Sequence, residues 1–189
     1  MKLRFLVSLL IVFTLLYTPQ NKVSATPTSS TWYVDQNAGG LNNGTSWTNA
    51  FNNLQDALGS ASSGDEIYVA QGTYKPGANR SDTFQLVSGV QIYGGFPSGG
   101  GAMNQREWEV YETILSGDIG VSGDASDNSY HVVTTSGVIG PPSTVLNGFI
   151  IKGGKADGTG GAGTDRGAGI YNVSGYPQLG EILIVDNYA

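Results

Sequence analysis

The chain has 189 residues, no cysteine, and 15 acidic against 9 basic residues. The resulting net charge of −6 disfavours nucleic acid and anionic membrane surfaces as partners, because both repel an acidic surface. The lack of cysteine excludes a disulfide-stapled scaffold, so the folded chain must be stabilised by its core or by a metal ion.

The N-terminus has the three parts of a secretory signal peptide. Lys2 and Arg4 precede an apolar run at residues 5–17, and small residues follow at 23–25. The run is shorter than the roughly 20 apolar residues that cross a bilayer. We therefore predict a signal peptide at 1–25, cleavage after Ala25, no membrane span in the mature chain, and a secreted or cell-surface location. Cleavage removes three basic residues and no acidic one, so the mature chain is still more acidic.

The next segments predict a linker, one strand and one helix. Residues 26–31 read as a linker, and residues 32–34 as a short aromatic and β-branched strand. Four apolar residues then recur at helical spacing: Trp47, Phe51, Leu54 and Leu58. Thr45 or Ser46 could cap the start of this helix, and Gly59 could end it.

After Gly59 the pattern changes to short apolar or β-branched runs separated by Gly, Asn, Asp and Ser, which favours an all-β fold. The predicted strands lie at 66–70, 83–87, 90–96, 113–117, 130–135, 145–154, 168–173 and 181–187. The later runs, which begin near Tyr130, Phe149, Ala168 and Glu181, recur roughly every 15–20 residues, a spacing typical of repeat architectures. A β-sandwich is the main alternative, but hairpin dipeptides are lacking between adjacent runs.

The segments YVDQNAGGLNNGTSWTNAFNNLQDALGSASSGDEIYVAQGTY and GAGIYNVSGYPQLGEILIVDN carry a family resemblance. They resemble the N-terminal cap and the repeating coil of pectate-lyase-like, right-handed parallel β-helix proteins of the bacterial secreted or surface type. The resemblance covers residues 32–189 and implies an all-β solenoid with a capping segment at 32–60 and coils at 61–189. It also implies a chain truncated at its C-terminus, whose open solenoid end could self-associate.

His131 and the segment around residues 157–166 are the candidates for catalytic or metal chemistry. His131, the single histidine, lies in an apparent strand and is interpreted as structural; without a second histidine or a cysteine, the usual zinc sites are excluded. The sequence GGAGTDR at 160–166 fits the opening of a calcium-binding nonapeptide, which makes Asp157 and Asp165 calcium candidates. A flexible loop is the favoured interpretation of this segment. Calcium is thus the one metal suggested, and no cofactor is required.

Three further aspartates are interpreted as turn residues, and four aromatic residues as candidates for sugar binding. The three Ser-Gly-Asp tripeptides, which end at Asp65, Asp118 and Asp124, are interpreted as turns. No strand carries the acidic cluster and arginine that the resemblance would require for lyase activity, so no catalytic residue is assigned. Four aromatic residues are candidates for stacking on sugars: Trp108, Tyr111, Tyr171 and Tyr176.

The predicted function is a non-catalytic, adhesin-like module, secreted or on the cell surface, that binds a polysaccharide or a cell-surface glycan. The alternative is a polysaccharide lyase or glycoside hydrolase, which would need paired acids or an Asp–Arg set on one strand face. A structural spacer without any ligand is a third hypothesis.

Overall fold

The computed structural model describes residues 28–137, 141–159 and 163–189, so the predicted signal peptide lies outside the described residues. The described part is all-β, as predicted, with one short α-helix and one 3₁₀ turn. Its elements in chain order are β1 (Thr31–Val34), α1 (Leu54–Ser60), β2 (Glu66–Ala70), β3 (Gly72–Tyr74), β4 (Phe84–Gln85), β5 (Gln91–Phe96), a 3₁₀ turn (Met103–Gln105), β6 (Thr113–Ser116), β7 (Val133–Ser136), β8 (Val145–Lys152), β9 (Ile170–Val173) and β10 (Gln178–Ile184).

Every strand pair is parallel, and the strands form two sheets. Six strands of the large sheet follow the order β1-β2-β5-β8-β6-β3, and β10 pairs with β8 off this path. The small sheet has the order β4-β7-β9. The first half of β8 pairs with β5 and its second half with β6.

The predicted right-handed parallel β-helix is therefore wrong. The strands form one curled, all-parallel sheet and a separate small sheet, and not a solenoid of stacked coils. The physical reason is that apolar runs between turns predict strands and favour parallel pairing, but they do not determine which strands become neighbours. The capping and coil roles inferred from the resemblance lose their basis with the solenoid.

The core lies between the inner faces of the sheets and α1. Alternation in β2 and β5 places Ile67, Val69 and Ile92 inside, all fully buried, and Tyr68 and Tyr93 outside, half-buried. The largest fully buried side chains are Phe84, Phe96, Phe149, Leu54, Ile67, Ile92, Leu115, Leu146 and Ile151. All of them except Phe96 belong to one hydrophobic cluster, which includes residues of both sheets and of α1.

The helix is shorter than the apolar periodicity predicts. It spans Leu54–Ser60, and Asn53 caps its start by accepting a hydrogen bond from the Asp56 amide at 2.9 Å. Phe51, predicted to be helical, is extended and forms a parallel bridge with Val34. The predicted start at Thr45 or Ser46 is wrong because the polar side chains before Leu54, among them Asn49 and Asn52, bond to the backbone in turns.

Replacement of the N-cap is expected to lower the free energy of unfolding. Asn53→Ala removes the acceptor for the Asp56 amide and should cost about 1 kcal/mol. Urea denaturation followed by circular dichroism would measure the loss. Asn53→Ser is the matched control, since serine also caps well; a loss as large in Asn53→Ser as in Asn53→Ala would contradict the capping role.

Several apolar side chains of β10 are only half covered. Leu179, Leu183 and Ile184 remain half-exposed, and β10 pairs with β8 alone among the described strands. The predicted self-association relied on an open solenoid end, and it loses that basis with the solenoid. Within the described ranges, none of the helices is long and apolar enough to span a bilayer.

Candidate functional site

The small sheet presents a polar outer face. Its register places Phe84, Val133 and Ile170 in one row, and Phe84 and Val133 are fully buried. The next row, Gln85, Thr134 and Tyr171, must face the opposite side, because successive strand residues alternate between faces. The Thr134 hydroxyl donates to the Gln85 side-chain oxygen at 2.8 Å.

A groove of about 450 Å³ lies over this face. Its lining is rich in hydroxyl, amide and aromatic groups: Ser81, Thr83, Gln85, Tyr130, His131, Thr134, Thr135, Ser136, Thr164, Tyr171 and Val173. Among the described residues, the lining contains no carboxylate, lysine or arginine. Its hydrogen-bonding capacity therefore comes from neutral groups that can both donate and accept.

Two stacked rings form one wall of the groove. The rings of His131 and Tyr171 lie 4.6 Å apart between centroids, at an angle of 14°. His131 Nδ1 lies 3.1 Å from the Gly167 carbonyl, and because a carbonyl can only accept, Nδ1 must carry the proton. Burial lowers the pKa of His131, against the opposing effect of this hydrogen bond, so the imidazole is neutral at pH 7 with Nε2 as an acceptor.

A second wall is held in place by an arginine. The Arg80 guanidinium lies 4.2 Å from the centroid of the Tyr130 ring, within the range of a cation–π contact. Its Nε donates to the Asn128 carbonyl at 2.7 Å, and a terminal nitrogen donates to the Lys155 carbonyl at 3.1 Å. Arg80 thus orients Tyr130 from behind without lining the groove itself.

The two predicted calcium ligands are each engaged by basic groups. Asp157 pairs with Arg80 and with Lys155, and the hydrogen bond from Arg80 is the main cause of its lowered pKa. Asp165 pairs with Arg166 at 2.8 Å, which likewise lowers its pKa. Among the described residues, no three histidine, aspartate or glutamate side chains gather as metal ligands. Calcium at Asp157 and Asp165 stays a prediction.

The four predicted sugar-stacking residues occupy different surroundings. Tyr171 lines the groove, whereas Tyr176 follows β9 and is 81% exposed. Trp108 is half-buried beside a separate hollow lined with Glu107, Glu109 and Val110, and Tyr111 is half-buried nearby in the chain. Only Tyr171 thus lines the groove.

Sequence reasoning missed most of the groove and a second aromatic surface. Within β7 the half-buried Thr134 lies between buried Val133 and buried Thr135, and this alternation was the one local signal. On the outer face of the large sheet, Tyr33, Tyr68 and Tyr93 form a row with edge-to-face contacts at 5.9 and 6.1 Å.

Two of these three tyrosines donate hydrogen bonds to residues of their own strands. The Tyr68 hydroxyl donates to Glu66 and the Tyr93 hydroxyl to Gln91, both at 2.7 Å. Burial raises the pKa of both phenols, and the bond to Glu66 raises that of Tyr68 further. Because the three rings face one another edge to face and the hydroxyls of Tyr68 and Tyr93 already have partners, the groove is the better candidate for a ligand site.

Comparison with known proteins assigns neither a family nor a function to this chain. No family model, curated protein or solved structure matches the chain. The resemblance to pectate-lyase-like proteins thus finds no support in the comparisons, and any function must be argued from the groove itself.

Proposed function

We propose that this chain is a secreted or cell-surface module that binds a neutral glycan in the groove of the small sheet without chemically changing it. The observation that carries the proposal is the combination of a half-buried, stacked ring pair, His131 and Tyr171, with a neutral hydroxyl- and amide-rich lining. The N-terminal signal peptide predicted from the sequence supports the location.

The lining suits a sugar ring in two ways. The apolar face of a pyranose can lie against Tyr171 or Tyr130, while its hydroxyls exchange hydrogen bonds with threonine, serine and glutamine side chains. Neutral His131 adds an acceptor at Nε2. A volume of about 450 Å³ lies within the 300–1,000 Å³ typical of small-ligand sites and is suited to a short stretch of glycan.

The same lining argues against hydrolysis within the groove. Glycoside hydrolases generally use two carboxyl groups about 5 to 10 Å apart, and none of the described residues that line the groove carries one. An acidic polysaccharide would also find no cation there. Binding without turnover, of a neutral rather than an anionic glycan, is the function that these groups support.

Tyr171→Ala is expected to weaken glycan binding at least about 10-fold, because it removes both the stacking surface and the partner of His131. Affinity electrophoresis of the secreted protein through gels containing soluble β-glucan, galactomannan or polygalacturonate would measure the effect. Retardation by a neutral polymer, and none by polygalacturonate, is the expected result.

Tyr176→Ala is the matched control, since Tyr176 is a highly exposed tyrosine that does not line the groove. Binding should be unchanged in this variant. Equal losses in the two variants, the absence of retardation by any neutral polymer, or the release of reducing ends from a retained polymer would each contradict the proposal.

A further inference from the structure

The loop between β6 and β7 contains an unusual group of buried oxygen atoms. Four side-chain oxygens there are buried and have no hydrogen-bond partner: Asp118 Oδ1, Asp127 Oδ1, Asn128 Oδ1 and Ser129 Oγ. Among the described residues, no other buried side-chain polar atom lacks a partner. Buried polar groups are almost always bonded, so their concentration in residues 118–129 requires a physical cause.

Two of these side chains line one cavity. Asp118 and Asn128 face a space of about 160 Å³ together with Ser116, Lys152 and Asp186. Asn128 is only 6% exposed, so its carbonyl oxygen cannot be satisfied by bulk water. The cavity lies where β6 and β8 end side by side, with Ser116 paired to Lys152.

The loop holds Asp118 so that one of its oxygens remains available. The Gly123 amide donates to Asp118 Oδ2 at 3.1 Å, and the Asp118 amide donates to Ser116 Oγ at 3.2 Å. Asp118 Oδ1 receives no hydrogen bond although it is buried. An unpartnered carboxylate oxygen is costly in a buried position unless a cation or a donor lies against it.

We propose that this cavity binds a calcium ion through Asp118, Asn128 and Asp186, with Ser116 as a further oxygen. Carboxylate, amide and hydroxyl oxygens are the ligands that calcium prefers, and it accepts them in an irregular arrangement of six to eight. Only two of the four proposed ligands are carboxylates and none is a histidine. The site therefore has fewer acidic or imidazole ligands than the three that a typical metal cluster contains. The space accommodates the ion and water molecules that complete its shell.

Lys152 sets the strength of this site. It lines the same cavity, and within the described residues it forms no ion pair. Its positive charge opposes a divalent cation, so Lys152→Gln should tighten calcium binding about 10-fold. The site differs from the calcium candidates at Asp157 and Asp165, whose carboxylates are engaged by Arg80, Lys155 and Arg166.

Calorimetric titration of the chelator-stripped, full secreted chain with calcium chloride tests the proposal. The expected result is one calcium ion per chain and a rise in Tm of about 5 to 10 °C at a calcium concentration 100-fold above Kd. Asp118→Asn and Asp186→Asn should each weaken binding at least about 10-fold. Both the heat of binding and the rise in Tm should be much smaller with magnesium chloride than with calcium chloride, because magnesium demands octahedral geometry.

Asp124→Asn and Asp165→Asn are the matched controls. Asp124 lies in the same loop but is exposed and does not line the cavity, and Asp165 represents the other candidate. Calcium binding that is absent in the unmodified chain, or that is lost in Asp165→Asn and retained in Asp118→Asn, overturns the proposal. If Asp118→Asn does not fold, Lys152→Gln decides: tighter binding supports the site, and unchanged binding overturns it.

Discussion

Phe149→Ala is expected to lower the free energy of unfolding by about 3 to 5 kcal/mol, the range for emptying an aromatic core position. Phe149 is fully buried in β8, the strand that pairs with β5, β6 and β10. Since a domain of this size is stable by only about 5 to 15 kcal/mol, the variant should be close to unfolding at 37 °C.

Chemical denaturation with urea, followed by circular dichroism at 25 °C, measures this loss. Val121→Ala is the control, because Val121 is also apolar but 68% exposed and should change stability by less than about 0.5 kcal/mol. A loss below about 1.5 kcal/mol for Phe149→Ala would mean that the sheet around β8 relaxes to fill the space, and that β8 is not the rigid centre of the fold.

The local structure of the chain could largely be predicted from the sequence, as β2 shows. The run at 66–70 was predicted to the residue, and β5, β6 and β8 were predicted within two residues at each end. Short apolar runs bounded by turn residues determine strands locally, so no knowledge of partners is needed. The short strand β3 was missed, since Gly72–Tyr74 carries little apolar pattern.

The arrangement of the strands could not be predicted in this way. β8 uses its first half to pair with β5 and its second half with β6, a division that no local pattern specifies. At Gly94 and Gly148 the backbones of β5 and β8 approach closely, since a Cβ on Gly94 would lie 2.4 Å from the Gly148 carbonyl oxygen. In the sequence these glycines are indistinguishable from the many that form turns.

The groove was predicted only through Tyr171. Its partner His131 was interpreted as structural, and the hydrogen bond to the Gly167 carbonyl fits that interpretation even though the ring also lines the groove. Gln85, Thr134 and Tyr171 are far apart in the chain and become neighbours only through the parallel register of β4, β7 and β9. Apart from the alternation around Thr134 in β7, a site assembled across strands in this way has no local sequence signature.

The first Ser-Gly-Asp tripeptide is a turn, as predicted. Its aspartate, Asp65, has a second role, because its side chain accepts hydrogen bonds from outside the turn. The Asp65 amide donates to the Ser62 carbonyl at 2.9 Å, which closes the turn. The Asp65 carboxylate accepts hydrogen bonds from the Ser30 and Ser62 amides and from Trp32 Nε1, at 2.7, 2.9 and 3.1 Å. It therefore joins the start of β1 to the turn before β2.

Asp65→Ala should lower the free energy of unfolding by about 3 kcal/mol at pH 7, because three donors lose a charged acceptor in a site that is only 7% exposed. Burial alone would raise the pKa of Asp65, but the three hydrogen bonds outweigh it and lower the pKa below its usual 3.8. A lowered pKa means that the stabilisation is complete well above 3.8 and is lost as the pH falls through the folded-state value.

Asp65→Asn should accordingly flatten the dependence of stability on pH between about pH 5 and pH 2, and urea denaturation across that range would measure it. Glu109→Gln is the matched control, since Glu109 is exposed and no hydrogen bond or ion pair of its side chain occurs among the described residues. If the slope of stability against pH in Asp65→Asn equals that of the unmodified chain, the Asp65 carboxylate does not contribute as an ionised acceptor. A flatter slope in Asp65→Asn alone would identify this one carboxylate as the link between β1 and β2 that weakens in acid.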